Sequence, residues 1–297
     1  MSLATANGRS VRQLDKLGAP GARIKARTLL DQEFKHMKVT KRREAMLQAV
    51  LGGMTDVATL CEHFGMSEVT VRRDLRALAS DNRILRTYGG AAAVGSHERE
   101  PSLEERRITS PEQKEAIARA ASTFVEDGDT VFLDGGTTTA ELARLLAGRT
   151  SVHVVTNNLL VVSALVSSGV QVTVIGGDVR SSSMSTLGPL AQIALSRLSV
   201  DKAFMGADGV VAELGLCEAS SDQSYLKECV MRQAAQIFVL VTADKLGRAS
   251  QQHWTPLDRD WTLITDDAAQ QEQLEPFNAQ ERIKVRVVSS KGLSQVQ

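Results

Sequence analysis

Three arginines stand close together in the segment SEVTVRRDLRAL, residues 67–78. Guanidinium groups donate paired hydrogen bonds to phosphate oxygens and to the edge of guanine, so a cluster of arginines on one surface is suited to binding nucleic acid. In a helix, which turns about 100° per residue, three aliphatic side chains of this segment form one stripe and the arginines project away from it. The arginines are Arg72, Arg73 and Arg76, and the aliphatic residues are Val71, Leu75 and Leu78.

The residues before this segment predict two shorter helices and a tight turn. The first helix ends at Gly52, and Thr55 is the expected N-cap of the second. Gly65 then supplies the left-handed residue that ends the second helix. Ser67 is expected to cap the third helix, with Glu68 placed favourably in its first turn. Two helices joined by so short a turn form a helix-turn-helix.

The sequence after the third helix predicts a β-hairpin. DNRILRTYGGA, residues 81–91, combines a turn, an extended run and a Gly-Gly bend. Such a hairpin completes a winged helix-turn-helix, whose third helix enters the major groove of DNA. Asp74 is expected to orient a neighbouring arginine, because DNA would repel its charge. The residues predicted to contact DNA are Ser67, Glu68, Val69, Thr70, Arg72, Arg73 and Arg76 on the helix, and Arg86 and Tyr88 on the hairpin.

The distribution of charge favours a polyanion-binding module near the N-terminus. The 297 residues include 35 basic and 35 acidic side chains, so the formal net charge is zero. Residues 1–90 nevertheless hold 16 basic and 9 acidic residues, a balance of +7, which leaves −7 for the remainder. The alternative is a three-helix core whose arginines are merely solvated. The agreement of spacing, caps and hairpin favours DNA binding.

From Ser110 onward, helical patterns alternate with short β-rich runs, which is typical of an α/β domain with a mainly parallel sheet. Ser110, Pro111 and Gln113 predict the start of its first helix, as N-cap, first residue and third residue. The predicted organisation is a flexible basic leader (1–38), a winged helix-turn-helix domain (39–94), a linker (95–109) and an α/β domain (110–297). The β-rich runs are TVFLD, VHVVT, VQVTVIGG, DKAFMGADG, IFVLVTAD, WTLITDD and IKVRVV.

Glycine-rich and polar turns follow several of these strands. DGGTTT, residues 134–139, joins a strand to a helix, where backbone amides and hydroxyl groups can hold a phosphate or carboxylate. The carboxyl ends of parallel strands meet at one edge of a sheet, so the turns predict a pocket for a small polyhydroxylated anion. Ordinary β–α turns are the alternative. The residues assigned to the pocket are Asp134, Gly135, Gly136, Thr137, Thr138, Thr139, Thr156, Asn157, Asn158, Gly176, Gly177, Gly206, Asp208 and Gly209.

Residues 41–91 resemble the winged helix-turn-helix of the DeoR family of bacterial transcriptional regulators, with SEVTVRRDL and YGGA as the signature. DGGTTT, VVTNN, VIGGDVR, DKAFMGADG and ADKLG then follow in the order of that family. The resemblance implies that the second domain has the fold shared by ribose-5-phosphate isomerase, glucosamine-6-phosphate deaminase and CoA transferases. It also implies that this domain senses a phosphorylated sugar or a related metabolite.

The resemblance further implies roles for individual residues. DGGTTT would hold the phosphate, and Asn157 and Asp208 would meet sugar hydroxyls. Lys227 and Lys245 would add positive charge, although Lys227 could equally face solvent on its helix. The family often separates the aspartate of the last motif from its lysine by two residues. Here Asp244 directly precedes Lys245, so the role of Asp244 stays open.

A regulator of this kind would repress an operon of carbohydrate metabolism, and a phosphorylated sugar would modulate its affinity for a double-stranded DNA operator. Helix-turn-helix modules read paired half-sites, so a homodimer or homotetramer is expected, with its interface on helices near 110–125 and 219–236.

No cofactor or metal is expected, because the three cysteines stand far apart and the five histidines do not cluster. Without a run of about 18 apolar residues, a cytoplasmic protein with no membrane partner is expected.

Two other functions stay open. The first is a sugar-phosphate isomerase or deaminase with a DNA-binding appendage, which needs a carboxylate base beside the substrate carbon. The isomerase motif runs Asp-Gly-Ala-Asp-Glu, whereas Gly209 follows Asp208 here, so catalysis is not expected. Asp208, Glu218 and Lys227 are the residues that could still serve an enzyme. The second is a DNA-binding protein whose α/β domain only assembles it, without an effector.

Overall fold

The chain folds into two compact units that divide after Val94. The computed structural model describes residues 39–51, 54, 56–81, 83–87, 90–93, 99–249 and 251–290. The predicted leader, the predicted cap Thr55 and the predicted wing residue Tyr88 lie outside these ranges, as does the side chain of Arg86.

Three helices and a hairpin form the first unit, as predicted. Their apolar faces meet in one core, in which Met46, Leu60, Phe64 and Leu75 are at most 1 % exposed. The two strands pair antiparallel, with Ile84 opposite Ala93. The elements are α1 (Val39–Leu51), α2 (Val57–Phe64), α3 (Glu68–Ser80), β1 (Ile84–Thr87) and β2 (Gly90–Ala93).

The helix ends of this unit confirm one predicted cap and correct another. Gly65 has a φ of 59° and ends α2 in the left-handed conformation, which glycine adopts without a Cβ clash. The N-cap of α2 is Asp56, not Thr55, and its carboxylate accepts a hydrogen bond from the Thr59 amide at 2.7 Å. Ser67 occupies the N-cap of α3, but its hydroxyl does not bind the helix backbone.

A seven-stranded parallel sheet forms the centre of the second unit. Each of the seven β-rich runs contributes one strand, and every neighbouring pair is parallel. The strands are β3 (Thr130–Leu133), β4 (His153–Thr156), β5 (Gln171–Val174), β8 (Val200–Met205), β11 (Ala234–Leu240), β13 (Trp261–Asp266) and β14 (Ile283–Val288). Their order across the sheet is β14, β13, β11, β8, β3, β4, β5.

Helices cover both faces of this sheet, because alternate strand residues point to opposite sides. Val131 and Leu133 belong to one hydrophobic core, and Phe132 between them belongs to the other. One face carries α5 (Pro111–Ser122), α6 (Thr137–Leu146) and α7 (Leu159–Leu165), and the other carries α8 (Pro189–Leu195), α9 (Ser221–Gln233) and α10 (Gln271–Asn278).

Several short elements of this unit were not anticipated from the sequence. The predicted linker 95–109 contains a helix, α4 (Leu103–Ile108), which begins with a capping box between Ser102 and Glu105. Ser110 is the N-cap of α5, with a φ of 50°, but its side chain makes no capping hydrogen bond. Two small antiparallel sheets join β6 (Asp178–Arg180) to β7 (Ser185–Leu187), and β10 (Gly215–Glu218) to β9 (Gly209–Val211) and β12 (His253–Thr255).

Within the described ranges, no helix is long and apolar enough to cross a bilayer. The same ranges contain no group of three or more His, Cys, Asp or Glu side chains placed to hold a metal ion.

Candidate functional sites

The outward surface of α3 is the candidate DNA-binding surface. Arg73 and Arg76 are exposed, whereas Leu75 between them is buried in the core. Val69 is 77 % exposed, so its methyl groups are accessible on this surface. Exposed guanidinium groups beside an exposed methyl-bearing side chain are suited to phosphates, base edges and the thymine methyl group.

The first turn of α3 holds two polar pairs within itself. Arg72 Nε donates to Glu68 Oε1 at 2.7 Å, and the hydroxyls of Ser67 and Thr70 lie 3.0 Å apart. Exposed ion pairs four residues apart on a helix contribute little to stability, about 0.3–0.5 kcal/mol. Arg72 can therefore leave Glu68 for a phosphate at small cost.

Asp74 is buried beneath this surface and does not face DNA. Its carboxylate is 0 % exposed and accepts hydrogen bonds from Arg42 Nε at 2.6 Å and Arg43 Nε at 3.2 Å. Both arginines belong to α1, so the partners of Asp74 are not the arginines of α3. The ion pairs of Asp74 with Arg42 and Arg43 hold α3 against α1. They therefore set the direction in which the exposed side chains of α3 point.

The second candidate site is a cleft at the carboxyl edge of the parallel sheet. From the centre, β4 and β5 extend the sheet to one side of β3, while β8, β11, β13 and β14 extend it to the other. The loops after β3 and β8 therefore diverge, which is where open α/β sheets bind ligands. The cleft is lined by Arg106, Gly135, Gly136, Thr137, Thr138, Thr139, Ser183, Gly206, Ala207, Asp208, Glu218, Gln223, Lys227, Leu240 and Lys245.

The loop after β3 brings the N-terminus of α6 to this cleft. Gly136 is the N-cap of α6 with a φ of 147°, a backbone conformation that favours glycine. Asn158 Nδ2 donates to the carbonyls of Asp134 at 3.0 Å and Gly136 at 2.9 Å, which fixes the loop. The first amides of a helix lack acceptors within the helix, so this turn offers hydrogen-bond donors and a partial positive charge to an anion.

A buried lysine lies between two carboxylates at the base of the cleft. Lys227 Nζ is 2.5 Å from Glu218 Oε1 and 2.9 Å from Asp134 Oδ2, and it also donates to the Gly206 carbonyl. Burial favours the neutral amine, but the two carboxylates outweigh it and raise the pKa of Lys227, which stays protonated. Burial raises the pKa of Glu218 to about 8, with Lys227 opposing and the carboxylates of Asp208 and Asp134 adding to the rise.

Two further basic side chains reach the cleft. Lys245 Nζ donates to the Ala207 carbonyl at 2.6 Å, and burial lowers its pKa, with the carboxylates of Asp208 and Asp244 opposing. Arg106 Nη1 lies 3.7 Å from Asp208 Oδ1. Lys227 is thus occupied by Asp134 and Glu218, whereas Arg106 and Lys245 face Asp208.

Several buried polar atoms of the site have no hydrogen-bond partner within the described part of the chain. They are Asp208 Oδ2, Asn157 Oδ1 and Arg106 Nε. Leaving such groups unpaired costs about 1–3 kcal/mol each, so these atoms can accept or donate hydrogen bonds to a bound molecule or to water. Two acceptors beside an anion-binding turn suit a ligand with hydroxyl groups as well as negative charge.

Comparison with known proteins identifies both units. Residues 42–97 match the model of the DeoR-like helix-turn-helix domain, and residues 109–267 match that of the DeoR C terminal sensor domain. The HTH-type transcriptional regulator GlpR of Haloferax volcanii is 33 % identical over 74 % of this chain and 87 % of its own length. The chain belongs to the DeoR family. It is therefore a DNA-binding transcriptional regulator with a sensor domain.

Two further DeoR-family relatives are repressors by name. The glycerol-3-phosphate regulon repressor of Escherichia coli K12 is 32 % identical, over 71 % of this chain and 84 % of its own length. The lactose phosphotransferase system repressor of Lactococcus lactis is 30 % identical, over 82 % of this chain and 96 % of its own. Among solved structures, ribose 5-phosphate isomerase A of Methanocaldococcus jannaschii covers 44 % of this chain and 52 % of its own, with 22 % identity and a TM-score of 0.34.

The cleft of this DeoR-family protein brings together many of the residues predicted from the strand ends. Lys227 is buried at its base, not exposed to solvent. Asp134 lies beneath the cleft in contact with Lys227, and Asn157 lines an adjoining cavity. The predicted residues that line the cleft itself are Gly135, Gly136, Thr137, Thr138, Thr139, Gly206, Asp208, Lys227 and Lys245.

Other predicted residues support the cleft without lining it. Thr156 Oγ1 donates to the Leu133 carbonyl at 2.6 Å, and Asn158 is committed to the loop after β3. A Cβ on Gly177 would lie 2.2 Å from the Leu187 carbonyl oxygen, and one on Gly209 would lie 2.2 Å from that of Arg248. These glycines permit close backbone packing. Gly176 does not line the cleft either.

Arg106, Gln223 and Ser183 line the cleft but were not predicted as ligand contacts. Arg106 belongs to the segment that was expected to be a linker. Its sequence signal was the capping-box pattern from Ser102 to Glu105, which marks a helix in place of an extended connection. Gln223 lies in the first turn of α9, four residues before Lys227 and therefore on the same helical face.

Proposed function

We propose that this DeoR-family protein represses an operon of carbohydrate metabolism, and that a phosphorylated sugar bound in the cleft changes its affinity for operator DNA. The observation that supports this most is the helix terminus suited to an anion beside Asp208 Oδ2, a buried acceptor of the same cleft with no hydrogen-bond partner among the described residues. Glycerol 3-phosphate and the lactose phosphotransferase system appear in the names of two relatives, which supports a phosphorylated effector.

In the proposed complex the phosphate contacts the amides of Thr137–Thr139, with Lys245 and Arg106 beside it. The sugar hydroxyls then donate to Asp208 Oδ2 and Asn157 Oδ1. Lys227 acts mainly by holding Asp134 and Glu218 in place, since both carboxylates and the Gly206 carbonyl already surround its ammonium group.

We infer that a homodimer or homotetramer binds the operator, because helix-turn-helix modules read paired half-sites. The helix α8 offers apolar surface for such an assembly, with Leu190 67 % and Ile193 62 % exposed one turn apart. The neighbouring helix α9, where an interface was predicted, adds Tyr225 at 44 % exposure. The cytoplasm, where bacterial operators lie, is the proposed location.

A ligand screen tests the sensor function. Glycerol 3-phosphate, phosphorylated pentoses and hexoses, their unphosphorylated forms and inorganic phosphate are compared by thermal denaturation of the purified chain. A true effector at a hundred times its Kd should stabilise the protein by about 2.7 kcal/mol, and its unphosphorylated form should not. No stabilisation by any phosphorylated compound would contradict the proposal and favour the assembly role.

The same preparation tests the enzymatic alternative. Each stabilising compound is incubated with the protein at several pH values, and its conversion is followed by ³¹P NMR. A compound that binds and is recovered unchanged is an effector, whereas turnover would replace the sensor role by catalysis.

A further inference from the structure

Arg106 connects the cleft to the start of the second unit. It lies on α4, close after the boundary at Val94 through which the chain enters from the DNA-binding unit. Its side chain is 14 % exposed and lines the ligand cleft. Lys245 and Lys227, the other basic residues of the cleft, belong to segments far from this boundary in sequence.

The guanidinium group of Arg106 is held by long contacts to carboxylates. Nη2 lies 3.3 Å from Glu100 Oε1, and Nη1 lies 3.7 Å from Asp208 Oδ1. Its short hydrogen bond, at 2.5 Å, is to the carbonyl of Ser182. Nε is buried and unpartnered among the described residues. The group thus has donors available for a better acceptor than its present carboxylate neighbours.

Glu100 ties the residues before α4 to the β6–β7 hairpin. Its carboxylate accepts from Arg180 Nη1 at 2.8 Å, and a second contact joins Arg180 Nη2. Ser182 Oγ donates to the same carboxylate at 3.3 Å. Arg106 contacts the same carboxylate, so a movement of the Arg106 side chain removes one of the contacts that hold Glu100 and its neighbouring residues in place.

The C-terminal end of α4 is fixed by a different residue. Lys114 on α5 is buried and donates to the carbonyls of Arg106 and Thr109, the latter at 2.5 Å. Because Lys114 holds this end of the short helix, we expect a displacement of the Arg106 side chain to move the residues before α4. Those are the residues that follow the DNA-binding unit.

We propose that Arg106 binds the anionic group of the effector and thereby transmits ligand binding to the chain segment that joins the two units. In this proposal, which rests on the proposed sensor function, the phosphate takes the guanidinium donors that now face Glu100 and Asp208. Glu100 keeps Arg180 but loses Arg106, and the segment 99–102 changes its position or mobility. The coupling is reciprocal, so bound operator should change effector affinity by the same factor.

The test uses the full chain, an operator duplex selected in vitro with the parent protein, and the phosphorylated compound that stabilises the parent most. Arg106→Gln removes the charge and keeps most of the side-chain volume. Arg107→Gln is the matched control, because Arg107 is the next residue of α4, with a side chain that is 57 % exposed. Thermal denaturation without ligand first establishes that both variants fold.

Arg106→Gln should bind the compound about 10-fold to 100-fold more weakly, the effect of one lost charge-assisted hydrogen bond. At saturating ligand its operator affinity should equal that without ligand, whereas Arg107→Gln should keep the full change. Hydrogen exchange at residues 99–108 should respond to ligand in the parent only, while exchange at 135–141 should fall in both.

Two results would overturn the proposal: Arg106→Gln retaining the coupling factor of the parent, or ligand altering exchange at 99–108 equally in both proteins.

Glu100→Gln provides a second measurement, since removing the competing carboxylate should tighten ligand binding several-fold. Unchanged or weaker binding in a folded Glu100→Gln variant would count against it. If no phosphorylated compound binds the parent, the sensor function fails instead, and that outcome is visible before any variant is made.

Discussion

The two sites of this protein use charge in opposite ways. On α3 the exposed arginines Arg73 and Arg76 are separate from the buried pair of Asp74 and Arg42 that holds the unit together. In the sensor cleft, Lys227 and its carboxylates both fix the loops and shape the ligand site. Binding and folding are therefore separable in the first unit and inseparable in the second.

The largest effect is expected for Lys227→Met. The variant leaves Asp134 and Glu218 buried without their shared cation, and breaking a buried ion pair costs about 3–5 kcal/mol. Chemical denaturation of the sensor unit should show this loss together with loss of effector binding. Lys284→Met, which changes an exposed lysine on β14, should stay within about 0.5 kcal/mol of the parent. If Lys227→Met lowers the free energy of unfolding by less than about 1 kcal/mol, folding and ligand binding are separable in the second unit after all.

Next comes Asp74→Ala in the DNA-binding unit. It leaves Arg42, whose side chain is 11 % exposed, without its carboxylate. We expect a loss of about 3 kcal/mol, at the low end of the range because Arg42 keeps some contact with water. Arg76→Ala on the same helix should leave the free energy of unfolding unchanged. Equal destabilisation by the two variants would show that folding and binding charges are not separate on α3.

Smaller effects are expected for the DNA contacts themselves. Arg73→Ala should weaken specific binding by about 1–3 kcal/mol and relax the sequence preference, without changing Tm. Arg86→Ala on the hairpin should instead weaken binding to all duplexes alike and lower the salt slope by about one. Fluorescence anisotropy with specific and random duplexes at several salt concentrations distinguishes the two. Parent-like binding by both variants would mean that the wrong face of the unit was assigned.

The most gradual effect is the pH dependence of the sensor unit, because it is spread over several pH units. The pKa of Glu218 is raised from an ordinary value near 4.5 to about 8, so its contribution to stability is complete below about pH 4.5 and is lost as pH rises through about 8. One proton changes the free energy by at most about 1.4 kcal/mol per pH unit. Glu218→Gln should remove this slope. A parent whose unfolding free energy is flat from pH 5 to 8 would exclude a protonated Glu218.

The sequence predicted the central sheet well, because its inner strands are buried on both faces and stand out as apolar runs such as IFVLV and WTLIT. Three-residue strands such as Asp178–Arg180 carry too little periodicity to be recognised. The cap of α2 was placed one residue early, since Thr55 and Asp56 are both good caps and only the backbone geometry decides between them.

Prediction of the site was limited by contacts between distant segments. The turn DGGTTT was recognisable because glycine and threonine between a strand and a helix have a direct chemical meaning. Nothing local in the sequence around Arg106 shows that α4 folds back against Asp208, which is about a hundred positions away. The burial of Lys227 likewise depends on Asp134 and Glu218 meeting it from two other segments.

The parallel arrangement of the seven strands has a practical consequence for protein engineering. The cleft is built largely from turns and helix ends at one sheet edge, so positions such as Ser183 and Gln223 can be varied while the strands that form the core stay unchanged. A library randomised at these positions would explore new metabolites without redesigning the scaffold. The domain is thus a natural starting point for genetically encoded biosensors, in which the ligand specificity of a regulator is changed while the promoter that it controls is kept.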